Sequence, residues 1–440
     1  MSFYLKGFWA LASVGLGLSS AQAQSYPIEY RFNVPNSAQI EICKVLARFP
    51  GVNYDDADEK TLCGYDFYND PRLAICAKVQ STNPAVEVFE IKNGVDKESF
   101  IANSCKKEEG KKVGKFKQSM SCSHTPSILG YYHISKLFNG SGDVPPAVYR
   151  TMEFDQHQLI RQQGLKNADG TIKQIWGQFP TSRNQARTSK WKETVYTPDM
   201  NQLYGALSVN PRNEEKYSEM NGGLAQFKGS AALKLVTNAK PVADYIQRDM
   251  GGLQKLVQIK DVGDMLVMDY IMSQQDRYGN IHYTEYYYFW ESGRLTRRSV
   301  PKKAADEEEL KKKEGATKVK VMLMKDNDCG VAKTNVAKAE KFLEQVRHLD
   351  VNTYYTALWL NQNKSSDEIK NYFSSTLLFS RADMTKLTAH ITEAAKILSD
   401  SCKAGRLNLD SDPEAFLRDQ EIRDSRSYCE LPSGFAPGTK

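Results

Sequence analysis

The sequence predicts an α+β protein with a β-rich N-terminal part and a mainly helical C-terminal part. Short β-like runs separated by turns occupy residues 25–120, and helical periodicity marks residues 125–138 and 262–272. Residues 334–403 have a largely helical pattern. The hydrophobic fraction of 40% and the charged fraction of 25% over 440 residues are those of an ordinary globular protein.

The N-terminal segment has the three parts of a secretory signal peptide. Lys6 supplies the positive charge, residues 8–18 form a short apolar run, and Ala21-Gln22-Ala23 is a typical cleavage signal. We therefore expect residues 1–23 to be removed and the rest to be exported, to a bacterial periplasm, to the medium or to a secretory-pathway lumen. The alternative is a buried N-terminal helix. No later run approaches the roughly 20 apolar residues of a membrane span, so we expect no integral membrane segment.

The cysteine count is even, which in an oxidising compartment predicts disulfide bonds. The eight cysteines are Cys43, Cys63, Cys76, Cys105, Cys122, Cys329, Cys402 and Cys429. Five of them lie within residues 43–122, so the N-terminal part should be the most heavily cross-linked, although spacing does not fix the pairing. No Cys/His cluster has zinc-ligand spacing, which argues against a structural metal.

The net charge of +6 is small for this length, so a nucleic-acid partner is not expected. The sequence leaves the oligomeric state open.

The first regular elements are a strand and a helix. Val86 to Ile91 is strand-like. A helix follows after residue 124, with Thr125 as a suitable N-cap, Pro126 at the first helical position and Asn139-Gly140 as the stop.

The middle of the chain alternates extended and helical patterns. Residues 143–154 should be extended because their two prolines disfavour helix, and residues 171–180 are strand-like. Residues 261–275 predict a helix, with Asp261 and Asp264 near its positive N-terminus.

Two further strands are expected at residues 283–290 and 318–324. Between them, residues 301–315 mix charges of both signs with few large apolar side chains, which predicts a solvated insertion.

Oxygen-bearing side chains cluster at the ends of this strand pair. Asp276 and Asn280 precede the first strand, and Asp326 follows the second, so the pairing should bring them together. Carboxylate and amide oxygens without thiols or imidazoles suit Mg²⁺ or Mn²⁺ holding phosphates. Asp328 is the alternative metal ligand to Asp326, and Asn280 is equally suited to a turn after Gly279.

A lysine that neutralises nucleotide phosphates should come from a strand just before a helix. Residues 114–127, GKFKQSMSCSHTPS, offer Lys117, with Lys115 as the second choice.

The order of these motifs resembles the secretory-pathway kinases, the Golgi casein kinase and Four-jointed relatives, which are distantly similar to HipA-type kinases. The motifs are KFKQ, YYHISKLF…VPPAVYR, LYG…KGSAAL, VMDYIMSQQDRYGN and MKDNDCG, spread over about residues 110–405. The resemblance runs motif by motif rather than continuously. It implies a two-lobed kinase-like fold with residues 24–180 as an N-terminal extension and small lobe, residues 181–440 as the large lobe, and a nucleotide cleft near Pro180.

The resemblance also implies roles for single residues. Asp276 would be the catalytic base, Arg277 would brace its loop, Asp326 would bind metal, and Lys117 would bind phosphate. The reaction would be phosphoryl transfer from ATP with Mg or Mn to a Ser/Thr hydroxyl of a protein, with a glycan as another acceptor.

The sequence departs from the family at two positions. Ile128 stands where the family has a glutamate, and Asn280 falls four residues after Asp276 rather than five, with His282 nearby. These departures leave three alternatives: a catalytically inactive pseudokinase, a sugar kinase or AMP transferase on the same fold, and an unrelated exported binding protein.

Overall fold

The computed structural model describes residues 26–331, 333–422 and 424–438, and it is an α+β protein built from antiparallel sheets and helices. The α+β class predicted from the sequence is therefore confirmed. The signal peptide predicted for residues 1–23 lies outside the described residues.

The N-terminal part forms a seven-stranded antiparallel sheet. Its strands are β1 (Ile28–Asn33), β2 (Ile40–Val45), β3 (Leu73–Ala77), β4 (Val86–Ile91), β5 (Gly110–Lys117), β6 (Ala147–Glu153) and β7 (Gln202–Val209). Their order is β1-β2-β6-β7-β5-β4-β3. The chain therefore stays with this sheet as far as Val209, well beyond the boundary that the sequence placed at residue 180.

A smaller four-stranded sheet follows. It consists of β8 (Glu215–Lys216), β9 (Ile281–Glu291), β10 (Arg294–Ser299) and β11 (Thr317–Met324), with β9 between β10 and β11. Ser292 and Gly293 join β9 to β10 with φ values of 50° and 73°, the left-handed pair that a tight hairpin needs. The two strands predicted at residues 283–290 and 318–324 are confirmed as β9 and β11.

The helices in chain order are α1 (Asp56–Cys63), α2 (Lys97–Ala102), α3 (Thr125–Leu137), α4 (Phe154–Asn167), α5 (Gly170–Gln178), α6 (Arg183–Thr188), α7 (Leu224–Gly229), α8 (Ala231–Val236), α9 (Leu253–Met272), α10 (Ala304–Lys311), α11 (Val336–Ala339), α12 (Phe342–Gln345), α13 (Val351–Asn363), α14 (Asp367–Asn371), α15 (Arg381–Lys403) and α16 (Pro413–Leu417). The insertion at residues 301–315 contains α10, whose side chains are mostly exposed, as its charges predicted.

The helix α3 is buried on nearly every side because it packs against β6 and β7 on one side and α9 on the other. Gly130 permits this close approach, since a Cβ there would lie 2.8 Å from Phe379 and 3.0 Å from Met272. The apolar side chains of α3 and α9 belong to one core that also includes α13 and α15.

The predicted strand at residues 171–180 is wrong, because Gly170–Gln178 is the helix α5. Ile172, Ile175 and Trp176 form its buried face, and a Cβ at Gly164 of α4 would lie 2.7 Å from the indole. These spacings are helical, and their packing against α4 outweighs the β propensity of isoleucine and tryptophan.

The long helix α9 begins at Leu253, eight residues before the predicted start at Asp261. Asp261 and Asp264 are therefore not at a helix N-terminus but in the buried middle of the helix. The Asp261 carboxylate accepts a hydrogen bond from the Met322 backbone N–H at 2.8 Å, which ties α9 to β11.

Disulfide bonds pair all eight cysteines: Cys43–Cys63, Cys76–Cys105, Cys122–Cys329 and Cys402–Cys429. The predicted disulfides are confirmed, and four of them in one chain indicate folding in an oxidising, non-cytosolic compartment. Within the described residues, each helix is too short or too polar to cross a bilayer.

Candidate functional site

The Asp-Arg loop connects the end of α9 to the start of β9. Ser273 ends the helix in the left-handed conformation, with φ of 55°, and its backbone N–H donates to the Asp269 carbonyl. This left-handed residue turns the chain sharply, so the next four residues cross toward the end of β11 rather than continuing the helix.

Arg277 holds this loop in place. Its side chain is 1% exposed and donates to both carboxylate oxygens of Asp269, at 2.9 and 3.1 Å. It also donates to the Lys325 carbonyl at 2.9 Å and to the Asn327 side-chain oxygen at 2.5 Å. The Tyr131 hydroxyl of α3 adds a 2.9 Å hydrogen bond to Asp269. Arg277 therefore connects the Asp-Arg loop, α9 and the loop after β11.

The loop after β11 carries the sequence Asp326-Asn327-Asp328. Asp326 has a φ of 53°, a left-handed conformation that aspartate tolerates better than most residues. The Asn327 side-chain amide donates to the Met324 carbonyl at 2.7 Å, and the Asn327 backbone carbonyl accepts from the Ser127 hydroxyl of α3 at 2.7 Å. With Asn327 fixed from both sides, the two aspartates are held beside the end of β5.

Lys117 is the last residue of β5 and lies between these two aspartates. Its ammonium is 2.9 Å from Asp328 Oδ2 and 3.4 Å from Asp326 Oδ1. Burial alone would lower the pKa of Lys117, but the carboxylates of Asp328 and Asp326 raise it above the ordinary lysine value. A buried ion pair thus joins β5 to the loop after β11, which we call the acidic loop.

Two more lysines lie around Asp326. Lys115 projects from the same face of β5 as Lys117, and its ammonium is 3.7 Å from Asp326 Oδ1. Lys78, just after β3, also interacts with Asp326, and burial together with the charges of Lys117 and Lys115 lowers its pKa to about 8. The sequence did not single out Lys78. Its approach depends on β3 and β5 flanking β4, which no local spacing records.

Asp276 occupies an exposed position of the Asp-Arg loop. Partial burial of its carboxyl raises its pKa, the Asn280 side chain lowers it, and the negative charges of Asp328 and Asp326 raise it, so these acidic groups interact electrostatically. The Asn280 amide donates to the Asp276 carbonyl oxygen at 2.7 Å. The sequence left Asn280 as either a metal ligand or a turn residue, and the observed contact is that of a turn residue. The same contact restrains the Asp276 backbone.

The two aspartates after β11 are the candidate oxygen ligands for a metal at this site. Among the described residues, no group of three or more His, Cys, Asp and Glu side chains is placed to hold a metal ion. Mg²⁺ usually binds through one or two carboxylates together with water and substrate phosphates, so Asp326 and Asp328 fit that donor set. Both carboxylates, however, already contact Lys117.

His282 lies beside the site on β9. It is 7% exposed, and among the described residues its Nδ1 has no hydrogen-bond partner. Burial and the positive charge of Lys325 lower its pKa to about 4, so the ring is neutral near pH 7. Lys325 itself is paired with Glu214 at 2.5 Å.

Two adjoining clefts open at this site. The smaller has a volume of about 40 Å³ and is lined by Lys115, Lys117, Asp326, Asp328 and Ile128. The larger, of about 800 Å³, shares Pro145, Val209 and Pro211 with it. Pro180, where the sequence placed the cleft, lies elsewhere, and its carbonyl accepts from Gln158 of α4.

The Cys122–Cys329 disulfide binds the site together covalently. Cys122 lies five residues after Lys117, and Cys329 directly follows Asp328. The Cys329 carbonyl also accepts a 2.9 Å hydrogen bond from the Gln275 N–H, next to Asp276. One cross-link therefore restrains the three segments that carry the lysine, the aspartate pair and the Asp-Arg loop.

No protein-family model matches the chain, and no curated protein or solved structure is significantly similar to it. Functional inference therefore depends on the geometry of this site.

Proposed function

We propose that the chain is an exported phosphotransferase that moves the γ-phosphoryl group of ATP to a Ser/Thr hydroxyl of a protein, with Mg or Mn. The observation that carries the proposal is the contact of Lys117 with Asp326 and Asp328. Phosphoryl transfer needs positive charge on the phosphates and carboxylates for a metal at one point, and this contact brings those groups together.

The architecture of the proposed enzyme is a two-lobed, kinase-like fold. The seven-stranded sheet would be the small lobe, and the part built around α9, α13 and α15 would be the large lobe. Residues 210–214 connect β7 to β8, and Pro211 and Glu214 in that connection line the larger cleft. A nucleotide base would lie there, against Pro145, Val209 and Leu323, with its phosphates toward the smaller cleft.

In the proposed reaction each residue has a separate task. Lys117 would balance phosphate charge at the end of β5, and Asp326 and Asp328 would hold a divalent cation once Lys117 turns toward the phosphates. The cation would supply charge neutralisation on the transferred group. Arg277 would keep the acidic loop in register through Asn327, without touching substrate.

Asp276 would accept the proton of the attacking hydroxyl. Its exposure allows an acceptor to reach it, and its raised pKa makes it a stronger base than an ordinary aspartate. Because a protonated carboxyl accepts no proton, the rate should rise with pH through this raised pKa.

Mass spectrometry after incubation with ATP and MnCl₂ tests the proposal, with casein as acceptor and the chain itself as a second acceptor. We expect added phosphate, and Asp276→Asn should lower the rate about 10²- to 10⁴-fold while leaving the thermal unfolding midpoint unchanged. The matched control is Asp400→Asn, an exposed aspartate of α15. Added AMP instead of phosphate would replace the proposed reaction by nucleotidyl transfer. Equal rates for wild type and Asp276→Asn would contradict the assignment of the base.

A second candidate is a catalytically inactive nucleotide-binding protein on the same fold. Ile128 favours it, because this apolar side chain lines the small cleft at the position where the kinases that the sequence resembles have a glutamate. Calorimetric titration with ATP and MnCl₂ separates the two, since nucleotide binding without any phosphoryl transfer would support the inactive form.

A further inference from the structure

The strand β10 is an edge of the smaller sheet and pairs with β9 on one side only. In an antiparallel pair, alternate residues turn their backbone groups toward the partner strand. The Val300 N–H donates to the Glu285 carbonyl of β9, and this bond fixes the alternation. Leu295 and Arg297 therefore turn their backbone groups away from β9. Among the described residues these groups make no hydrogen bond.

A cleft of about 780 Å³ runs along this edge. Residues 294–297, four consecutive residues of β10, line it. Alternate side chains of a strand point to opposite faces, so a cleft lined by consecutive residues lies along the edge of the sheet. The other walls come from α9, the start of α13 and α16, and the cleft shares no lining residue with the two clefts at the candidate site.

The charged side chains of β10 leave this edge accessible. Exposed charges often prevent an edge strand from pairing with another chain. Here Arg297 donates to Asp143 at 2.7 Å, and Arg298 donates to Glu291 at 2.9 Å. These two arginines point to opposite faces of the sheet, so both guanidinium groups are held over the faces and away from the edge.

Two carboxylates in the cleft have no cation. Asp261 and Asp412 both line it, and neither forms an ion pair within the described part of the chain. Asp261 is 6% exposed, and one of its oxygens accepts from the Met322 N–H while the other makes no hydrogen bond to a described residue. Asp412 accepts from the Ala415 N–H at 2.6 Å. Burial raises the pKa of both carboxyls, as expected where no cation compensates for lost hydration.

The other charged groups of the cleft add to this negative charge. Arg418 is paired with Glu414 at 2.7 Å, and Lys260 lies between two carboxylates. Arg294 forms no ion pair with a described residue, but it is exposed at the start of β10. Together with the carboxylates that pair its cations, the cleft carries an excess of negative charge, which an incoming cation would balance.

We propose that the edge of β10 is a docking site for an extended, lysine- or arginine-bearing segment of a partner protein. The segment adds to the smaller sheet as a further strand and directs one basic side chain to Asp261 and Asp412. This inference does not depend on the proposed function, because the cleft is separate from the candidate site.

The two parts of the site have different tasks. Main-chain hydrogen bonds to Leu295 and Arg297 supply affinity for an extended backbone of any sequence, as in other cases of strand addition. Asp261 and Asp412 supply selectivity, since a buried carboxylate and a cation form a short, charge-assisted hydrogen bond. Every second side chain of the added strand faces the cleft, so a single basic residue suffices.

Fluorescence anisotropy at pH 8 tests the inference, with fluorescein-labelled Gln-Val-Gln-Lys-Gln-Val-Gln as the probe. This peptide has no hydroxyl, so it cannot be a phosphoryl acceptor, and no ATP is added. We expect wild type to bind it and to bind the peptide with glutamine in place of lysine about tenfold to a hundredfold more weakly, as for loss of a charged hydrogen bond.

Variants of the protein test the carboxylates. Asp261→Asn and Asp412→Asn keep the side-chain shape, and each should weaken binding of the lysine peptide while leaving binding of the glutamine peptide unchanged. Circular dichroism checks their fold. The matched control is Asp367→Asn, at an exposed aspartate of α14 outside the cleft, which should bind as wild type does.

Backbone methylation of the peptide tests strand addition. A strand at an edge uses the N–H groups of alternate residues, so N-methylation of one alternate set should abolish binding and methylation of the other set should leave most of it. Equal binding of both methylated peptides would contradict strand addition. No binding of the lysine peptide to wild type, or equal affinity of wild type and the double variant at Asp261 and Asp412, would overturn the docking site.

Discussion

Two lysines of this protein each lie between two carboxylates, yet their surroundings differ. Lys260 of α9 contacts Asp264 at 2.5 Å and Asp350 at 3.7 Å, and Lys117 contacts Asp328 and Asp326 at 2.9 and 3.4 Å. We refer to Lys260, Asp264 and Asp350 as the Lys260 cluster, and to Lys117, Lys115, Asp326 and Asp328 as the Lys117 cluster.

The carboxylates of the Lys260 cluster have further hydrogen bonds. Asp264 accepts from the Ser141 hydroxyl at 2.7 Å and from the Thr353 hydroxyl at 2.6 Å, and Asp350 accepts the N–H of Asn352 at 2.8 Å. In the Lys117 cluster, the described residues give Asp326 and Asp328 no hydrogen bond other than those from Lys117. The carboxylates of the Lys260 cluster are thus hydrogen-bonded by several groups, as expected of a structural ion pair. The carboxylates of the Lys117 cluster have unused acceptor capacity, and a second lysine, Lys115, lies 3.7 Å from Asp326, as we expect of the proposed ligand site.

The largest effect should come from cutting the cross-link across the Lys117 cluster. The Cys122–Cys329 bond joins residues 207 apart, and Cys402–Cys429 joins residues 27 apart. Loop-closure entropy then predicts a loss in unfolding free energy of about 5 kcal/mol for the double serine variant at Cys122 and Cys329, and of about 3.5 kcal/mol for the one at Cys402 and Cys429. Urea unfolding in non-reducing buffer measures both.

Only the first of these variants should also weaken ATP binding, because only that cross-link restrains the segments around Lys117. If both double variants bound ATP as tightly as wild type does, the cross-link would have no part in holding the site.

The next effect distinguishes the two lysines directly. Lys260→Met leaves the fully buried Asp264 without its cation and should lower the free energy of unfolding by about 3–5 kcal/mol. Lys117→Met should cost less, about 1–3 kcal/mol, because only Asp328 then loses its cation in a buried position, whereas Asp326 is a quarter exposed and keeps Lys115 nearby. Urea denaturation at pH 7 measures the difference, with the exposed Lys396→Met as the control. A larger loss for Lys117→Met would reverse the structural and functional assignments of the two clusters.

A smaller effect concerns pH and lies beside the Lys260 cluster. Burial raises the pKa of Asp261 to about 7, above the value of about 3.9 for an unfolded aspartate. The folded state therefore holds a proton that the unfolded state releases, so this contribution to stability is complete below about pH 4 and is lost as pH rises through about 7.

Asp261→Asn should remove this dependence, because the amide oxygen can still accept the Met322 N–H. Between pH 5 and pH 8 the unfolding free energy of wild type should then fall by up to about 3 kcal/mol more than that of the variant. The exposed Asp244→Asn is the control. Parallel pH profiles for wild type and Asp261→Asn would show that Asp261 is ionised in the folded protein at both pH values.

The sequence predicted the elements whose patterns are local. The strand β4 runs from Val86 to Ile91 as predicted, and the helix after residue 124 is α3. The strand predicted at residues 171–180 was wrong because the prediction gave more weight to the β-favouring residue types than to their helical spacing. The early start of α9 was missed because its first turn lacks the acidic residues and side-chain N-cap that usually mark a helix beginning.

The candidate site was predictable where it depends on chain order and not where it depends on strand order. Asp276, Asp326 and Lys117 follow from motifs at the ends of neighbouring elements. Lys78 does not, because it reaches the site only through the pairing of β3 with β4 and of β4 with β5. The contact of Lys117 with both aspartates was not predictable either, because it depends on distances between residues that are far apart in the sequence.

A crystal structure with MnCl₂ and a non-hydrolysable ATP analogue tests the central claim most directly. We expect phosphate oxygens within hydrogen-bonding distance of the Lys115 and Lys117 ammonium groups, with Mn against Asp326 or Asp328 and Lys260 unchanged. An analogue bound away from the small cleft, or Lys117 still on both aspartates with no phosphate beside Lys115, would contradict it.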